Sequence, residues 1–570
     1  MAAECSAPQT RAHDAAFVQL CSLRGLQARL PLGWPTPPDV PPCPKRAFRS
    51  HYRYLGYHDL LDLAAWEFLS DFDLALRLVD FAGLRPVLAQ RLGWASGRGW
   101  RPFDPVSLFL LHGWQITNGW TRAETLRNLH RPRYADYAQR FGFHDGIYPT
   151  EGGLRYFLTA LGRHSEVPGD TVSVELDDQH TIEVAVQSLN QLLAAAVALL
   201  RQADLLSPEA WNEALVCPDG MLHHAASGLR CASVQDSCYQ AITSQQQRPC
   251  PAKQKGRQGC SCDTLACAQV CQHATPRDAA ARFVYYNGHN GPPGSRPSPN
   301  APADSTHAPN KDNGRRCYGY RSLPLLLADP ARRFHLPLLA DFRPANDREE
   351  VPAAALLLQL ARFYPDLHLQ AVAGDAGFGF DVVLHTVYHL RALRVIDLRA
   401  HTTDQDKSLW PLRGYDDKGR PVCPFGYALT ANGFDASRHR HKWVCLHACL
   451  HSAPPQVLLD GITYPPVQCP YQAADHPHGR IVNIGERFPD GSIRLVRDLP
   501  VGTPAWKRLY HRARNASEGR NATLERWKLK RLPVYGQPRA KALTYLADSW
   551  ATLTTLARLV REATAAAPSL

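Results

Sequence analysis

Two short apolar runs, each ending in an aspartate beside glycine, constrain the fold of this chain most strongly. The first is LVCPDGM, which places Asp219 directly before Gly220, and the second is AVAGDAGF, which contains Asp375. A short apolar run bounded by turn residues is typical of a buried strand. The pattern therefore predicts a carboxylate at the carboxyl-terminal tip of each of two buried strands, although an aspartate beside glycine is also an ordinary turn residue.

Strand-like and helix-like segments alternate around these two positions. Strands are predicted at 318–327, 334–341 and 394–398, and helices are predicted at 351–363 and near 380–392. Alternation of this kind indicates an α/β core in which helices cover a sheet.

The region from about residue 57 to 202 is predicted to be helical. Asp104 can cap a helix over about 105–117, because a proline at the first helical position lacks an N–H that would be unpaired there anyway. A capping box formed by Thr121 and Glu124 then begins another helix. The two helices are separated by a short turn that contains Asn and Gly.

This pair of helices has two interpretations. It fits a DNA-binding helix-turn-helix, with 121–130 as the reading helix and Arg122 and Arg127 as contacts, or an ordinary packed hairpin. Apolar residues at helical spacing predict two further helices, at 184–204 and about 540–565.

A strongly basic segment near the C-terminus contains a third acidic residue of interest. Residues 507–531 hold nine Lys or Arg but only two Glu. Glu518 recurs there at helical intervals with Arg514 and Asn521, so the three share one face of a helix. Glu525 lies on that face too and is the alternative to Glu518.

The cations of this segment are predicted to neutralise nucleic-acid phosphates, although a solvated basic helix is the simpler interpretation. The candidates are Arg514, Arg520, Lys528 and Lys530. The complete chain of 570 residues carries a formal net charge of +12. This charge suits a polyanionic partner but does not prove one.

The sequence predicts neither a membrane span nor a secretory signal. Its longest apolar run, residues 192–200, is far shorter than the roughly 20 residues that cross a bilayer. The N-terminus lacks a charged region followed by an apolar core. We therefore expect a cytoplasmic protein without a membrane partner.

Many of the sixteen Cys residues gather in two groups, which in a cytosolic chain suggests metal ligands before disulfides. The candidate zinc ligands are Cys423, Cys445, Cys449 and Cys469 in the later group, and Cys260, Cys262, Cys267 and Cys271 in the earlier group. Neither group shows paired CxxC spacing, so structural zinc and reduced, unliganded thiols are both open.

Four segments together resemble the DDE transposases of bacterial insertion sequences. Residues 317–329 together with 335–350 are similar to the paired strands and PAND turn between the first two acidic residues, and 371–381 to the motif of the second aspartate. Residues 513–531 are similar to the glutamate helix, and 414–429 to the start of an insertion found in one large branch. The order and separation of these segments make the resemblance more specific than any one of them.

The resemblance implies a ribonuclease-H-like core in which Asp219, Asp375 and Glu518 bind two Mg²⁺ or Mn²⁺ ions. One ion would activate water or a 3′-hydroxyl group, and the other would stabilise the leaving oxygen. The residue types fit this role independently, because carboxylates are the oxygen ligands that Mg²⁺ prefers. The implied activity is cleavage of DNA at the element ends and its joining to a target.

The implied partners are double-stranded DNA, both element ends and target, and a second copy of the chain in the DNA complex. The implied location is the cytoplasm, in association with the nucleoid. The alternative function is a catalytically inactive DNA-binding protein derived from a transposase. That alternative requires loss of one carboxylate, whereas all three candidates are present.

A chain of this length is expected to divide into three or four domains. The expected fold is α/β, with a ribonuclease-H-like mixed sheet flanked by helices, an all-α N-terminal domain and a β-rich, Cys-containing insertion. The Cys-rich loop 228–275 and the flexible loop 291–310 are placed within the core. The expected segments are a tail and Pro-rich linker at 1–50, a helical DNA-end-binding domain at 51–205, the first part of the catalytic core at 206–410, the insertion at 411–500, and the Glu helix and closing helices at 501–570.

Overall fold

A computed structural model describes residues 29–231, 274–285, 316–397, 414–451, 478–485 and 504–565, with internal gaps of seven residues or fewer. The predicted loop 291–310 and most of the predicted loop 228–275 lie outside these residues.

The strands and helices are numbered in chain order. The strands are β1 (Leu32–Gly33), β2 (Val79–Asp80), β3 (Glu166–Glu175), β4 (Thr181–Gln187), β5 (Ala214–Pro218), β6 (Met221–His224), β7 (Leu229–Cys231), β8 (Ala274–Pro276), β9 (Arg282–Tyr285), β10 (Arg316–Ala328), β11 (His335–Pro344), β12 (Leu369–Gly374), β13 (Leu393–Ile396), β14 (Gly414–Tyr415), β15 (Pro421–Val422), β16 (Thr430–Asp435), β17 (Arg440–Val444) and β18 (Ile481–Gly485). The helices are α1 (Asp71–Leu78), α2 (Leu84–Arg91), α3 (Pro105–Thr117), α4 (Arg122–Leu129), α5 (Ala135–Arg140), α6 (Glu151–Arg163), α7 (Asn190–Gln202), α8 (Pro208–Asn212), α9 (Glu350–Phe363), α10 (Asp381–His389), α11 (Ala448–His451), α12 (Pro504–Arg526) and α13 (Gln537–Ala565). Within the described ranges, no helix is both long and apolar enough to cross a membrane.

A mixed sheet of seven strands forms the centre of the protein. Its main path runs in the order β11-β10-β5-β12-β13. Strands β5, β12 and β13 are parallel to one another, whereas β10 is antiparallel to both β5 and β11. Strands β6 and β9 pair with other parts of β10. The predicted α/β class with a mixed sheet is therefore confirmed.

The sheet brings the carboxyl ends of β5 and β12 to the same edge. Val216 of β5 lies beside Val372 of β12 in parallel register. Asp219 and Asp375 each lie three residues after these valines, just beyond the ends of their strands. All residues of β5 and the last four of β12 are buried, as expected for strands covered on both faces. Asp219 and Asp375 thus follow buried strands, as predicted.

The predicted pair of capped helices in the N-terminal region is confirmed as α3 and α4. The Asp104 carboxylate caps α3 by accepting a hydrogen bond of 3.0 Å from the Val106 amide. Helix α4 begins with the predicted capping box, in which Thr121 and Glu124 bond each other's backbone amides. These bonds satisfy amides that a helix start leaves unpaired.

The expectation of an all-α N-terminal region is wrong, because β3 and β4 form an antiparallel hairpin there. The helix predicted over 184–204 begins only at Asn190. Ile182, Val184 and Val186 alternate along β4, and this period of two with β-branched residues favours a strand. The apolar spacing of a helix, which predicted a helix start at residue 184, is followed only by the residues after β4.

Helix α13 joins the N-terminal helices to the sheet in one hydrophobic core. It packs against α1, α3, α6, α7 and β11. Trp550 of α13 contacts Phe72, Phe81 and Phe109, with ring centroids 4.8–6.0 Å apart. A Cβ atom at Gly113 of α3 would lie 2.0 Å from the Trp550 ring, so only glycine leaves room for it. The predicted boundary at residue 205 therefore does not separate two independent cores.

The described part of the predicted insertion is rich in strands. Strands β14 and β15 pair with each other, and β16, β17 and β18 form an antiparallel sheet. A small apolar cluster around Leu429 and Val482 packs against Cys423, Trp443 and Cys445.

A buried ion pair fixes α12 against the sheet and α13. Arg520 of α12 donates two hydrogen bonds of 2.9 Å to the Asp548 carboxylate of α13, and both side chains are 0% exposed. The same guanidinium lies 3.3 Å from the Ser322 hydroxyl of β10. The consecutive helices α12 and α13 and the sequence-distant strand β10 therefore meet at one buried cation.

We predict that Asp548→Ala lowers the free energy of unfolding by about 3–5 kcal/mol, because it leaves the Arg520 charge buried without a partner. Urea unfolding followed by fluorescence measures this loss. The control is Glu562→Ala, which removes a mostly exposed carboxylate 3.7 Å from Arg558 on the same helix and should cost less than about 1 kcal/mol. Equal losses in the two variants would contradict the role assigned to the buried pair.

Candidate active site

Asp219 and Asp375 lie at one edge of the sheet but differ in exposure. Asp219 is 7% exposed, and its amide donates a hydrogen bond to the Pro324 carbonyl of β10. The Asp375 side chain is 45% exposed and accepts a hydrogen bond of 2.8 Å from the Gly377 amide. That bond caps the 3₁₀ turn Ala376–Phe378, so local backbone geometry holds the Asp375 carboxylate.

Helix α12 carries Glu518 across this edge. It packs on β5 and β12, where the small side chains of Ala513 and Ala516 meet Leu215 and Ala371 in one buried cluster. Arg514, Glu518 and Asn521 lie on the face next to this buried stripe, as helical spacing predicts.

Arg514 contacts all three predicted carboxylates. Its Nη1 atom lies 3.1 Å from Oδ1 of Asp219 and 4.0 Å from Oδ2 of Asp375. Its Nη2 atom lies 3.6 Å from Oε1 of Glu518. Asn521 donates a hydrogen bond of 2.8 Å to the other Asp219 oxygen. The structure therefore gathers Asp219, Asp375 and Glu518 around one guanidinium group.

The electrostatics of the site reflect this crowding. Burial raises the pKa of Asp219, the nearby Arg514 charge opposes this rise, and the negative charge of Asp375 adds to it. Burial alone would lower the pKa of Arg514, but Asp219 and Asp375 outweigh it and raise that pKa. The cluster of carboxylates thus requires a cation, and Arg514 supplies one.

The donor set fits a divalent ion such as Mg²⁺, which prefers carboxylate oxygens. Within the described residues, no group of three or more His, Cys, Asp or Glu side chains is arranged to hold a metal ion as it stands. At the strand tips, the guanidinium group of Arg514 lies between the carboxylates.

Glu525, the alternative third carboxylate, lies in a different environment. Its Oε1 atom is 3.2 Å from Nζ of Lys530, and its side chain is 52% exposed. Glu518, in contrast, lies next to the Arg514 guanidinium group that also contacts Asp219 and Asp375. The choice of Glu518 over Glu525 stays a prediction that this geometry favours.

The predicted DNA-contacting residues differ in accessibility. Arg520 is wrongly assigned to this set, because it is fully buried and bonded to Asp548. Arg127 and Lys528 are exposed, and Arg122 is half-buried. The Lys528 side chain also reaches the α3–α4 turn, since a Cβ atom at Gly119 would lie 3.3 Å from it. Burial lowers the pKa of Arg122, and the nearby charge of Arg155 lowers it further.

Three of the predicted zinc ligands fall within the described residues. Cys423, Cys445 and Cys449 are partly buried in the insertion. His447 lies between Cys445 and Cys449 in the sequence. Its side chain is buried, and its Nε2 atom has no hydrogen-bond partner. Cys469 and the group Cys260, Cys262, Cys267 and Cys271 lie outside the described residues.

Glu349, a further acidic residue at the strand tips, is not among the residues predicted from the sequence. Its side chain packs between the Asp219-Gly220 and Asp375-Gly377 segments. The available signal was its place in the PANDREE segment, directly after β11 and before α9.

Comparisons with known proteins do not identify the chain: no family model matches the sequence, and no curated protein matches it. Functional assignment therefore depends on the residues and on their arrangement at the strand tips.

We predict that Arg514→Gln destabilises the metal-free protein by about 1–2 kcal/mol at pH 7, because three carboxylates lose their shared cation and two of them are substantially solvated. The loss should shrink as the pH falls, since protonated carboxylates no longer need the cation. The stability difference between Arg514→Gln and wild type should begin to shrink at a pH above the usual pKa range of aspartate, because burial raises the pKa of Asp219.

Thermal unfolding in EDTA across pH 4–7 checks this prediction. Arg512→Gln is the matched control, because Arg512 is an exposed arginine on the same helix. An Arg514→Gln loss that is as small as the control's, or that does not change with pH, would contradict the proposed role of Arg514.

Proposed function

We propose that this protein is a DDE transposase, which binds the ends of its element and catalyses metal-dependent cleavage and transfer of DNA strands. The convergence of Asp219, Asp375 and Glu518 around Arg514 carries the proposal. The three residues come from two strands and a helix that are far apart in sequence, and their grouping was expected from the resemblance.

The sheet supports the finer proposal of a ribonuclease-H-like core. In this sheet, β5 is the first strand in chain order, and it lies between the antiparallel β10 and the parallel β12. The two aspartates follow β5 and β12. The helix with the third carboxylate packs across the same strands. This arrangement places one acidic group on each of three rigid elements, as precise ion placement requires.

In this proposal, Asp219, Asp375 and Glu518 would hold two Mg²⁺ or Mn²⁺ ions. When bound, such ions activate the attacking hydroxyl and stabilise the leaving oxygen of the phosphodiester. Asn521 holds one Asp219 oxygen by a hydrogen bond of 2.8 Å and so sets the orientation of that carboxylate. Arg514, once released from the carboxylates, is placed to contact a DNA phosphate.

The proposed DNA surface includes the exposed cations Arg127 and Lys528 together with Arg122. Lys528 follows the Glu helix and lies against the α3–α4 turn, so the turn before the predicted reading helix meets the C-terminal end of the Glu helix. The net charge of +12 is in keeping with a DNA partner. We further propose a homodimer on paired ends and a cytoplasmic, nucleoid-associated location.

Removal of any one of the three carboxylates should abolish strand cleavage but leave DNA binding nearly intact, because each removes a metal ligand and not a basic surface residue. Asp219→Ala, Asp375→Ala and Glu518→Ala should each lose several orders of magnitude in cleavage rate. The substrate is a labelled duplex with the inverted repeats found in the DNA flanking the gene, in Mg²⁺, and gel shifts report binding. Glu525→Ala is the matched control and should remain active.

Two outcomes would change the assignment. Wild-type protein that binds the ends but never cleaves them would favour the catalytically inactive DNA-binding protein. Active Glu518→Ala beside inactive Glu525→Ala would move the third carboxylate to Glu525.

A structural zinc ion in the insertion is a further part of the proposal. Cys423 and Cys445 pack against the small cluster that contains Val482, and Cys449 follows four residues after Cys445. Burial raises the pKa of Cys449, and the negative charge of Cys445 adds to that rise. Thiols in such an environment are deprotonated mainly when a metal binds them.

Protein purified without chelator should contain at least about one zinc ion per chain by elemental analysis. Cys445→Ser should lower this content by about one ion, whereas the control Cys317→Ser, in the buried strand β10, should not. Folded wild-type protein without zinc would rule the ion out.

A further inference from the structure

Glu349 reaches the candidate active site from an element that supplies none of the three predicted carboxylates. It lies between β11 and α9, and its carbonyl accepts a hydrogen bond of 2.9 Å from the Ala353 amide of α9. The turn that it occupies follows β11, the edge strand of the main sheet path. Its side chain points from this turn toward the tips of β5 and β12.

The two glycines beside the aspartates define where the Glu349 carboxylate lies. A Cβ atom at Gly220 would lie 1.7 Å from Oε1 of Glu349, so this carboxylate occupies the space that a larger residue would need. A Cβ atom at Gly377 would lie 3.8 Å from Oε2 of Glu349 and 2.9 Å from Oδ1 of Asp375. The Glu349 carboxylate therefore packs against the residue after Asp219 and close to the Asp375 oxygen.

The charges around Glu349 are unbalanced. Nε of Arg321 lies 3.1 Å from Oε1, and the Glu349 side chain is only 21% exposed. Burial raises the pKa of Glu349 to about 7; Arg321 opposes the rise, and Asp375 and Asp219 add to it. Arg321 thus faces Glu349 in a region that already contains two aspartates, with Arg514 beside them.

We infer that Glu349 is a fourth carboxylate of the candidate active site and supplies an oxygen ligand to a divalent cation held by Asp219 and Asp375. The inference rests on the proposed function, since it assumes that this site binds a cation. It explains why glycine follows Asp219: any side chain at position 220 would displace the Glu349 carboxylate. The competing explanation is that Glu349 only anchors the α9 turn through Arg321.

Titration calorimetry of the full chain with Mn²⁺ separates these explanations. Glu349→Gln preserves the shape of the side chain, and we expect it to weaken Mn²⁺ binding at least tenfold, as loss of a ligand or its support typically does. Glu350→Gln is the matched control, because it removes the same charge one residue later, from a side chain that faces Arg348 at 3.5 Å. The control should bind Mn²⁺ like wild type.

Gly220→Ala provides a second variant that retains every charge. It should also weaken Mn²⁺ binding, because the added methyl group displaces the Glu349 carboxylate. The rise in unfolding temperature caused by Mn²⁺ is a second readout, and it should be smaller in Glu349→Gln and Gly220→Ala than in wild type. If Glu349 only anchors the α9 turn, Glu349→Gln should instead lower the unfolding temperature of the metal-free protein and leave its Mn²⁺ affinity unchanged.

Asp219→Asn separates a failure of the Glu349 ligand from a failure of the cation site itself. If Asp219→Asn loses Mn²⁺ affinity while Glu349→Gln binds like wild type, the inference about Glu349 fails and the proposed function stands. Equal weakening by Glu349→Gln and Glu350→Gln would also overturn the inference, because it would show a general effect of charge. If the wild type itself binds no Mn²⁺, or Asp219→Asn binds it normally, the proposed function fails as well.

Discussion

The buried ion pair between Arg520 and Asp548 sets the position of the helix on which the candidate site depends. A charged pair that is 0% exposed tolerates little rotation or sliding, because any movement would leave a charge without a partner in a low-dielectric interior. The α-helical period places Arg514, Glu518 and Asn521 on the face beside this anchor. A contact between α12 and α13 thereby determines which side chains reach the tips of β5 and β12.

The site itself is organised by repulsion between carboxylates. Asp219, Asp375 and Glu518 surround Arg514, and Glu349 lies beside Gly220 and Gly377, next to the two aspartates. Burial of Asp219 beside other carboxylates is unfavourable without positive charge. In the structure the arginine supplies that charge, and in the proposed working state a divalent cation would take over part of its role. The Arg514 side chain and a bound divalent cation would then compete for the same carboxylates, and this competition would be part of the control of catalysis.

The sequence was informative where a local signal determines local structure. Strand tips at Asp219 and Asp375 and the capped start of α4 follow from short patterns whose physical cause is nearby in the chain. Arg520 was misassigned because its partner lies 28 residues away on another helix. Glu349 was missed because its proximity to Gly220 depends on the folded sheet, and the β3–β4 hairpin was hidden by apolar spacing that also fits a helix.

A crystal structure determined with Mn²⁺ and anomalous scattering tests the central claim most directly. The account predicts an anomalous peak bonded to carboxylate oxygens of Asp219 and Asp375, with Arg514 moved away from its 3.1 Å contact with Asp219. Crystals in saturating Mn²⁺ that retain the Arg514 contact and show no peak beside either aspartate would contradict it.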